Sequence, residues 1–475
     1  MMDTSKDESG KINDNKPSYS EEYVKSLSGR LEKAVRFQTI SHEDPAQFKE
    51  EEFKGFQNFL EKAFPKVHAT MAKEILGNYS LLYTWKGVGE KELPILLAAH
   101  IDVVPAETQS GGNWIYPPFQ GHIADGFIWG RGTMDDKVSV LGILEALEKL
   151  LHEGYVPNRT IYIAFGHDEE VGGRDGAAKI AALLNSRRVI LDYVLDEGST
   201  IIRGVIPNVS KSVALVGIAE KESLNIELTV DIEGGHSMMP PRQTTVGIMS
   251  SAINKLEQNQ FPTRMEVPVR KMFETLAPEM PFGMRVVFSN LWLFEGLVKK
   301  KLATTPSTNA LVRTTTAPTI FQAGVKENIL APRARAIVNY RLLPGDTTDK
   351  VLLHVRKTIN DPRVMIVALE GPKSEPSFLS DTGSKGYRAI EKAILQVFPE
   401  VIVAPGLVIG ATDSRHYSPL TQNIFRFLPI CVCSDDLQRF HGTDERISTQ
   451  NYTDVVKFYT QLIRNEGSIQ NLPSE

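Results

Sequence analysis

The sequence predicts an α/β protein: a mainly parallel sheet with helices on both faces, into which a smaller α+β domain is inserted. Three observations predict it. Apolar runs of strand length alternate with amphipathic runs of helix length between Leu93 and Glu197. The middle of the chain then changes to longer, half-exposed strands before the first pattern resumes. The length, 475 residues, exceeds what one hydrophobic core usually covers.

The elements follow in order. Residues 1–17 are polar and charged and are expected to be disordered. They lack the apolar core of a signal peptide, which taken alone suggests a cytoplasmic protein. Amphipathic helices are expected near 20–37 and 47–64. LPILLAAHIDVV is a buried strand, and DDKVSVLGILEALEKLLHEG is a helix with Val140, Leu144, Leu147 and Leu151 on one face and a stop at Gly154. TIYIAFG and DYVL are two more strands. KESLNIELTVDIE, ARAIVNYRLL and VMIVAL are strands of the inserted part, with helices at 244–258 and over TTDKVLLHVRKTI. The insert is expected over 216–372, and the principal domain over 18–215 and 373–475, closing with a helix after Thr449.

Bulk properties exclude several classes. The chain is 41% apolar and 23% charged with a net charge of −5, so no basic excess exists to neutralise nucleic-acid phosphates. No apolar window approaches the roughly 18 residues of a membrane span. The two cysteines, Cys431 and Cys433, are too close in sequence for an easy disulfide.

Chemistry gathers where the strands end. His100 and Asp102 close the first strand, Asp168, Glu169 and Glu170 follow the second, and Asp196 and Glu197 end the third. Ligands of open parallel sheets bind outside these carboxyl ends. GRGTMDDK adds Asp135 and Asp136, and FHGTDER adds His441. Each residue alone could cap a turn. Several carboxylates buried together need cations. Imidazole and carboxylate donors suit zinc, or cobalt or manganese, better than calcium. Two histidines and three acids suffice for two metals bridged by one acid, and a spare carboxylate can act as general base.

The motifs AAHIDVVP, GRGTMDDK, FGHDEEVGG, VLDEG, EGGHSMMPP, GATDSRHY and FHGTDERIS, in this order, resemble the di-zinc aminoacylase/carboxypeptidase metallopeptidase family. The match extends from AVRFQTIS to the last helix, and its nearest look is the N-fatty-acyl-amino-acid synthase/hydrolase type within the carboxypeptidase S-like branch. The resemblance implies His100, Asp135, Glu170 and His441 as ligands of two zinc ions, with Asp135 bridging. Asp196 or Glu197 supplies the remaining ligand, and both stay open. It implies Asp102 as the residue orienting His100, which explains two polar residues on one strand face. Glu169 is implied as general base toward a metal-bridging water, His236 as the oxyanion donor, contributed by a partner subunit in many relatives, and Arg415 as the substrate-carboxylate site. The resemblance thereby implies a homodimer, with the inserted domain as its lid or dimerisation domain.

The implied activity is hydrolysis, or synthesis, of N-fatty-acyl amino acids; the alternative is a carboxypeptidase S-like peptidase releasing C-terminal amino acids. The complete ligand-and-base set argues against a binding-only relative. The resemblance also implies the secretory route or vacuole, in tension with the absent leader. One stretch remains, MPFGMRVVFSNLWLFEGL at 280–297, apolar on nearly all sides. It fits a buried core helix, a wall for a long acyl chain, or a membrane-surface contact.

Overall fold

The computed structural model describes residues 19–89, 91–106, 114–369 and 377–467. The expected disorder of 1–17 and the expected boundary at 373 lie outside the described residues.

The strand Ile95–His100 shows why the run beginning near Leu93 carries no alternation. Ile95, Leu97 and Ala99 enter one core with the helices Glu21–Val35, Lys137–His152 and Thr449–Gly467. Leu96 and Ala98 enter a second core with the helix Ala177–Ser186 on the opposite face. Burial on both faces makes every position apolar. The strand pairs in parallel with Ile161–Gly166 on one side and Val194–Asp196 on the other, and the latter pairs in parallel with Ile424–Arg426. The antiparallel strands Ser80–Trp85 and Ala72–Leu76 extend one edge, and Val213–Glu220 with Ile402–Val408 lie toward the other, within a ten-stranded sheet. The register aligns His100 with Gly166, so the polar residues after both strands emerge at the same end.

A second sheet has the order Thr315–Ala323, Arg333–Leu342, Glu222–Asp231, Val364–Ala368, with every pair antiparallel. Here the period of two is clean. Ile226, Leu228, Val230, Ala336, Val338 and Tyr340 pack beneath the helices Thr245–Gln258 and Thr348–Ile359. The alternate residues of Arg333–Leu342 face the carboxyl end of the large sheet.

The middle of the chain is less simply divided than the expected limits 216–372. Val213–Glu220 belongs whole to the large sheet, and the second sheet starts at Glu222. The helices between Val267 and Val312 pack on the large sheet, where Val269, Phe273, Leu276, Phe288 and Val298 share a core with Val213, Ala219, Ala404 and Leu407. The cause is again alternation. Ala214, Val216 and Ile218 fill the main core, and the odd-numbered side of the strand needs its own cover.

The apolar stretch 280–297 forms most of two helices, Phe282–Ser289 and Leu291–Leu302. It is not a buried helix. Phe288 and Leu291 point inward, whereas Phe282 is 80% and Trp292 79% exposed. Cys431 and Cys433 are both free thiols. Among the described residues no helix is long and apolar enough to cross a membrane.

Candidate metal centre

The centre is assembled from strand ends and two loops. His100 ends its strand fully buried, and its ring has a carboxylate on each side. Nδ1 lies 3.1 Å from the Asp102 carbonyl oxygen and 3.3 Å from Asp102 Oδ1; Nε2 lies 3.0 Å from Asp135 Oδ1. Burial would lower the imidazole pKa, but the hydrogen bonds to Asp102 and Asp135 outweigh it and hold it well above its usual value. Asp102 is itself fixed. Ser41 Oγ donates to it at 2.6 Å, and the backbone N–H groups of Glu169 and Glu170 donate at 3.2 and 3.1 Å. One aspartate therefore orients the histidine and sets the backbone that presents both glutamates.

Asp135 carries a histidine on each oxygen. Oδ1 faces His100 Nε2, and Oδ2 lies 3.0 Å from His441 Nε2. Burial opposes its ionisation, yet the two imidazoles hold the carboxyl well below the usual carboxylate range. Asp136, joined to it by a cis peptide, caps the helix Lys137–His152. Glu170 Oε1 approaches His441 Nε2 at 3.3 Å. Hydrogen bonds to Asp135 and Glu170 push the His441 imidazole up to about 10. Donor atoms of His100, Glu169 and Glu170 lie within 4.8 Å of one another, as do those of Asp135, Glu170 and His441. Glu170 is common to both groups, which therefore adjoin one another.

Glu169 and Glu197 are pushed well above the carboxylate range by burial, with neighbouring acids adding to the shift. Burial also raises Asp196, to about 6. Its Oδ1 accepts the Glu197 N–H at 2.9 Å, and its Oδ2 is buried without a hydrogen-bond partner. Glu197 opens onto the cleft and Asp196 lies beneath it. So dense a group of acids, one with an orphaned oxygen, fits divalent cations: each would relieve repulsion and satisfy the donors at once.

A cleft of about 870 Å³ lies over these residues, between the two sheets. Arg415 lines it, and its Nη2 donates to the Gly172 carbonyl at 2.9 Å. His236 does not line it. That residue lies exposed in the short strand Gly235–His236, with its Nδ1 accepting the Met238 N–H.

Several contributors were given no role by the sequence motifs. Arg335, Asn339 and Arg341 reach the cleft from one face of the strand Arg333–Leu342. Burial lowers the Arg341 pKa, and the nearby Arg415 lowers it further. Two guanidinium groups so close make a seat for an anion. The period-two pattern of ARAIVNYRLL already placed these polar residues on one side. Glu445 is the other. It is fully buried and pairs with Arg131 at 2.6 Å, and it accepts from the Gly132 and Met134 N–H groups.

Residues 96–465 match peptidase family M20/M25/M40. The chain belongs to that family. It is a metal-dependent hydrolase acting on amide bonds. The probable carboxypeptidase S-like 2 of Dictyostelium discoideum is 47% identical over 443 residues, 92% of this chain and 85% of that one. The N-fatty-acyl-amino acid synthase/hydrolase PM20D1.1 of Danio rerio is 43% identical over 461 residues, 96% of this chain and 89% of that one. The crystal structure of the M20 family metallo-carboxypeptidase Sso-CP2 from Sulfolobus solfataricus superposes with a TM-score of 0.67 at 18% identity, covering 94% of this chain and 99% of that one, and shows the shared fold.

Proposed function

We propose that the protein cleaves, and at high product concentration forms, the amide bond of N-fatty-acyl amino acids with two zinc ions. Asp135, with one imidazole on each oxygen, is the observation that carries the two-ion reading. His100, Glu170 and His441 would complete the ligand set with Asp196 or Glu197. Bound zinc supplies Lewis acidity toward the substrate carbonyl and acidifies water.

The chain's own groups do the rest. Arg415 and Arg341 hold the free carboxylate of the amino-acid half, which sets the scissile amide near Glu169. Glu169 accepts the proton of the attacking water and returns it to the departing amide nitrogen. Asp102 keeps the His100 ring in place through both steps. His236 donates to the oxyanion, supplied by a second copy of the chain, since its own copy leaves it exposed outside the cleft.

Leu224, Ile320, Ile337 and Leu369 line the cleft and offer apolar contact to an acyl chain. None of the residues 280–297 lines it, so the acyl wall is assigned to the second sheet instead. The similarity to PM20D1.1 supports the fatty-acyl substrate. The similarity to the carboxypeptidase S-like protein supports a second reading, release of a C-terminal amino acid from a peptide with the same residues.

Rates on oleoyl-phenylalanine and on a benzyloxycarbonyl dipeptide, with and without a chelator, separate the two. Chelator-sensitive cleavage favouring the oleoyl amide is expected. Preference for the dipeptide would replace the first reading with the second.

A further inference from the structure

The helices Phe282–Ser289 and Leu291–Leu302 pack on one core through Phe288, Leu291 and Val298. Phe273 stacks on Phe288 with ring centroids 4.6 Å apart, which anchors the pair to the body of the protein. The faces pointing away from that core are not polar. Phe282 is 80% exposed, Trp292 79%, Leu293 61% and Leu297 63%, and Val286 is exposed one turn after Phe282. Exposed single apolar residues are ordinary; a run of five on one helical pair marks a contact surface.

The charge around these side chains identifies the occupant. Residues 280–302 carry Arg285, Lys299, Lys300 and Lys301 against a single acid, Glu295. Glu295 is already engaged by Arg270 and Lys299. Arg285, Lys300 and Lys301 are left exposed at the rim, on a chain whose net charge is −5. An aromatic and aliphatic face bordered by uncompensated lysines suits an anionic lipid surface: the rings enter the headgroup boundary and the ammonium groups meet lipid phosphates and carboxylates.

We infer that the outer face of the helices Phe282–Ser289 and Leu291–Leu302 docks the protein on anionic phospholipid bilayers, peripherally and without spanning them. None of the five apolar residues lines the catalytic cleft, so docking leaves the cleft free to exchange substrate.

The test uses the full chain and sucrose-loaded vesicles of phosphatidylcholine, with and without phosphatidylserine. Wild type is expected to sediment with the phosphatidylserine vesicles and much less with phosphatidylcholine alone, and added salt should weaken it. Trp292→Ser/Leu297→Ser should lower the partition constant about tenfold or more. Lys300→Glu/Lys301→Glu should lower it at least about fivefold per lysine. Both variants should keep wild-type hydrolysis of a short-chain acyl amino acid in solution, which reports an intact fold. Failure of wild type to sediment, equal sedimentation with both vesicle types, or unchanged sedimentation of the variants would overturn the inference. So would a wild-type dimer that Trp292→Ser/Leu297→Ser converts to monomer without any vesicle effect, since the face would then join two copies of the chain.

Discussion

Arg131 and Glu445 form a buried ion pair at 2.6 Å that fastens together the two loops presenting Asp135 and His441. Glu445 Oε1 accepts the Met134 N–H at 2.7 Å, one residue before Asp135. Arg131 Nη2 donates to the His441 carbonyl at 3.1 Å. The pair sets the separation of two candidate ligand side chains although neither member touches their carboxylate or imidazole atoms. Glu445→Ala strands a buried guanidinium and frees both loops. It is expected to cost about 3–5 kcal/mol of stability and to lower metal content per folded chain. Urea denaturation and elemental analysis check both; a stable variant with full metal content would remove the pair from the account.

Glu169 and Glu170 are adjacent, and the proposed mechanism gives them different duties. Glu169→Gln is expected to retain metal and lose at least about 100-fold in kcat. Glu170→Gln is expected to lose metal first, because its oxygen faces His441. Elemental analysis beside kcat distinguishes the two. Near-wild-type turnover in Glu169→Gln would sink its role as base.

Arg341 and Arg415 share the cleft, and burial with the nearby Arg415 lowers the basicity of Arg341, so an anion between them is stabilised by both. Replacing either by Met should raise KM for an acyl amino acid about 10–100-fold, with a smaller change in kcat. Wild type should also discriminate against a substrate whose carboxylate is methylated, and the variants should discriminate less. Equal discrimination in all three proteins would place the carboxylate elsewhere.

Lys221 provides a pH signature away from the metal ligands. Its ammonium is fully buried and donates to the carbonyls of Ala310 and Arg313. Burial pushes its pKa from 10.5 down to about 7. Between those values the unfolded chain holds a proton that the folded chain does not, so stability rises with pH over that window. Lys221→Met should flatten the rise. Urea midpoints from about pH 7 to about pH 9 measure it, and an equally steep rise in the variant would contradict the assignment.

The parallel sheet and the convergence of His100, Asp102, Glu169 and Glu170 at its strand ends were legible because each rests on local pattern. Ile95–His100 is apolar at every position up to Ala99 and then stops in His-x-Asp, and its parallel partners Ile161–Gly166 and Val194–Asp196 lead into acids at the same end of the sheet. Arg341 was less legible. Its alternation on ARAIVNYRLL is visible, but which way that face points depends on how the second sheet sits over the first. The pairing of Arg131 with Glu445 was hidden for the same reason, the two lying 314 residues apart in sequence. The stretch 280–297 left three readings open because apolarity on nearly all sides does not say which side is covered; the core takes only one side of each helix.

The most direct test is to strip the protein of metal and follow hydrolysis of an acyl amino acid as zinc is returned. Two ions sharing Asp135 predict activity that reaches its plateau at two equivalents per chain and is abolished again by chelator. A plateau at one equivalent, or full activity in the stripped protein, would contradict the two-metal centre.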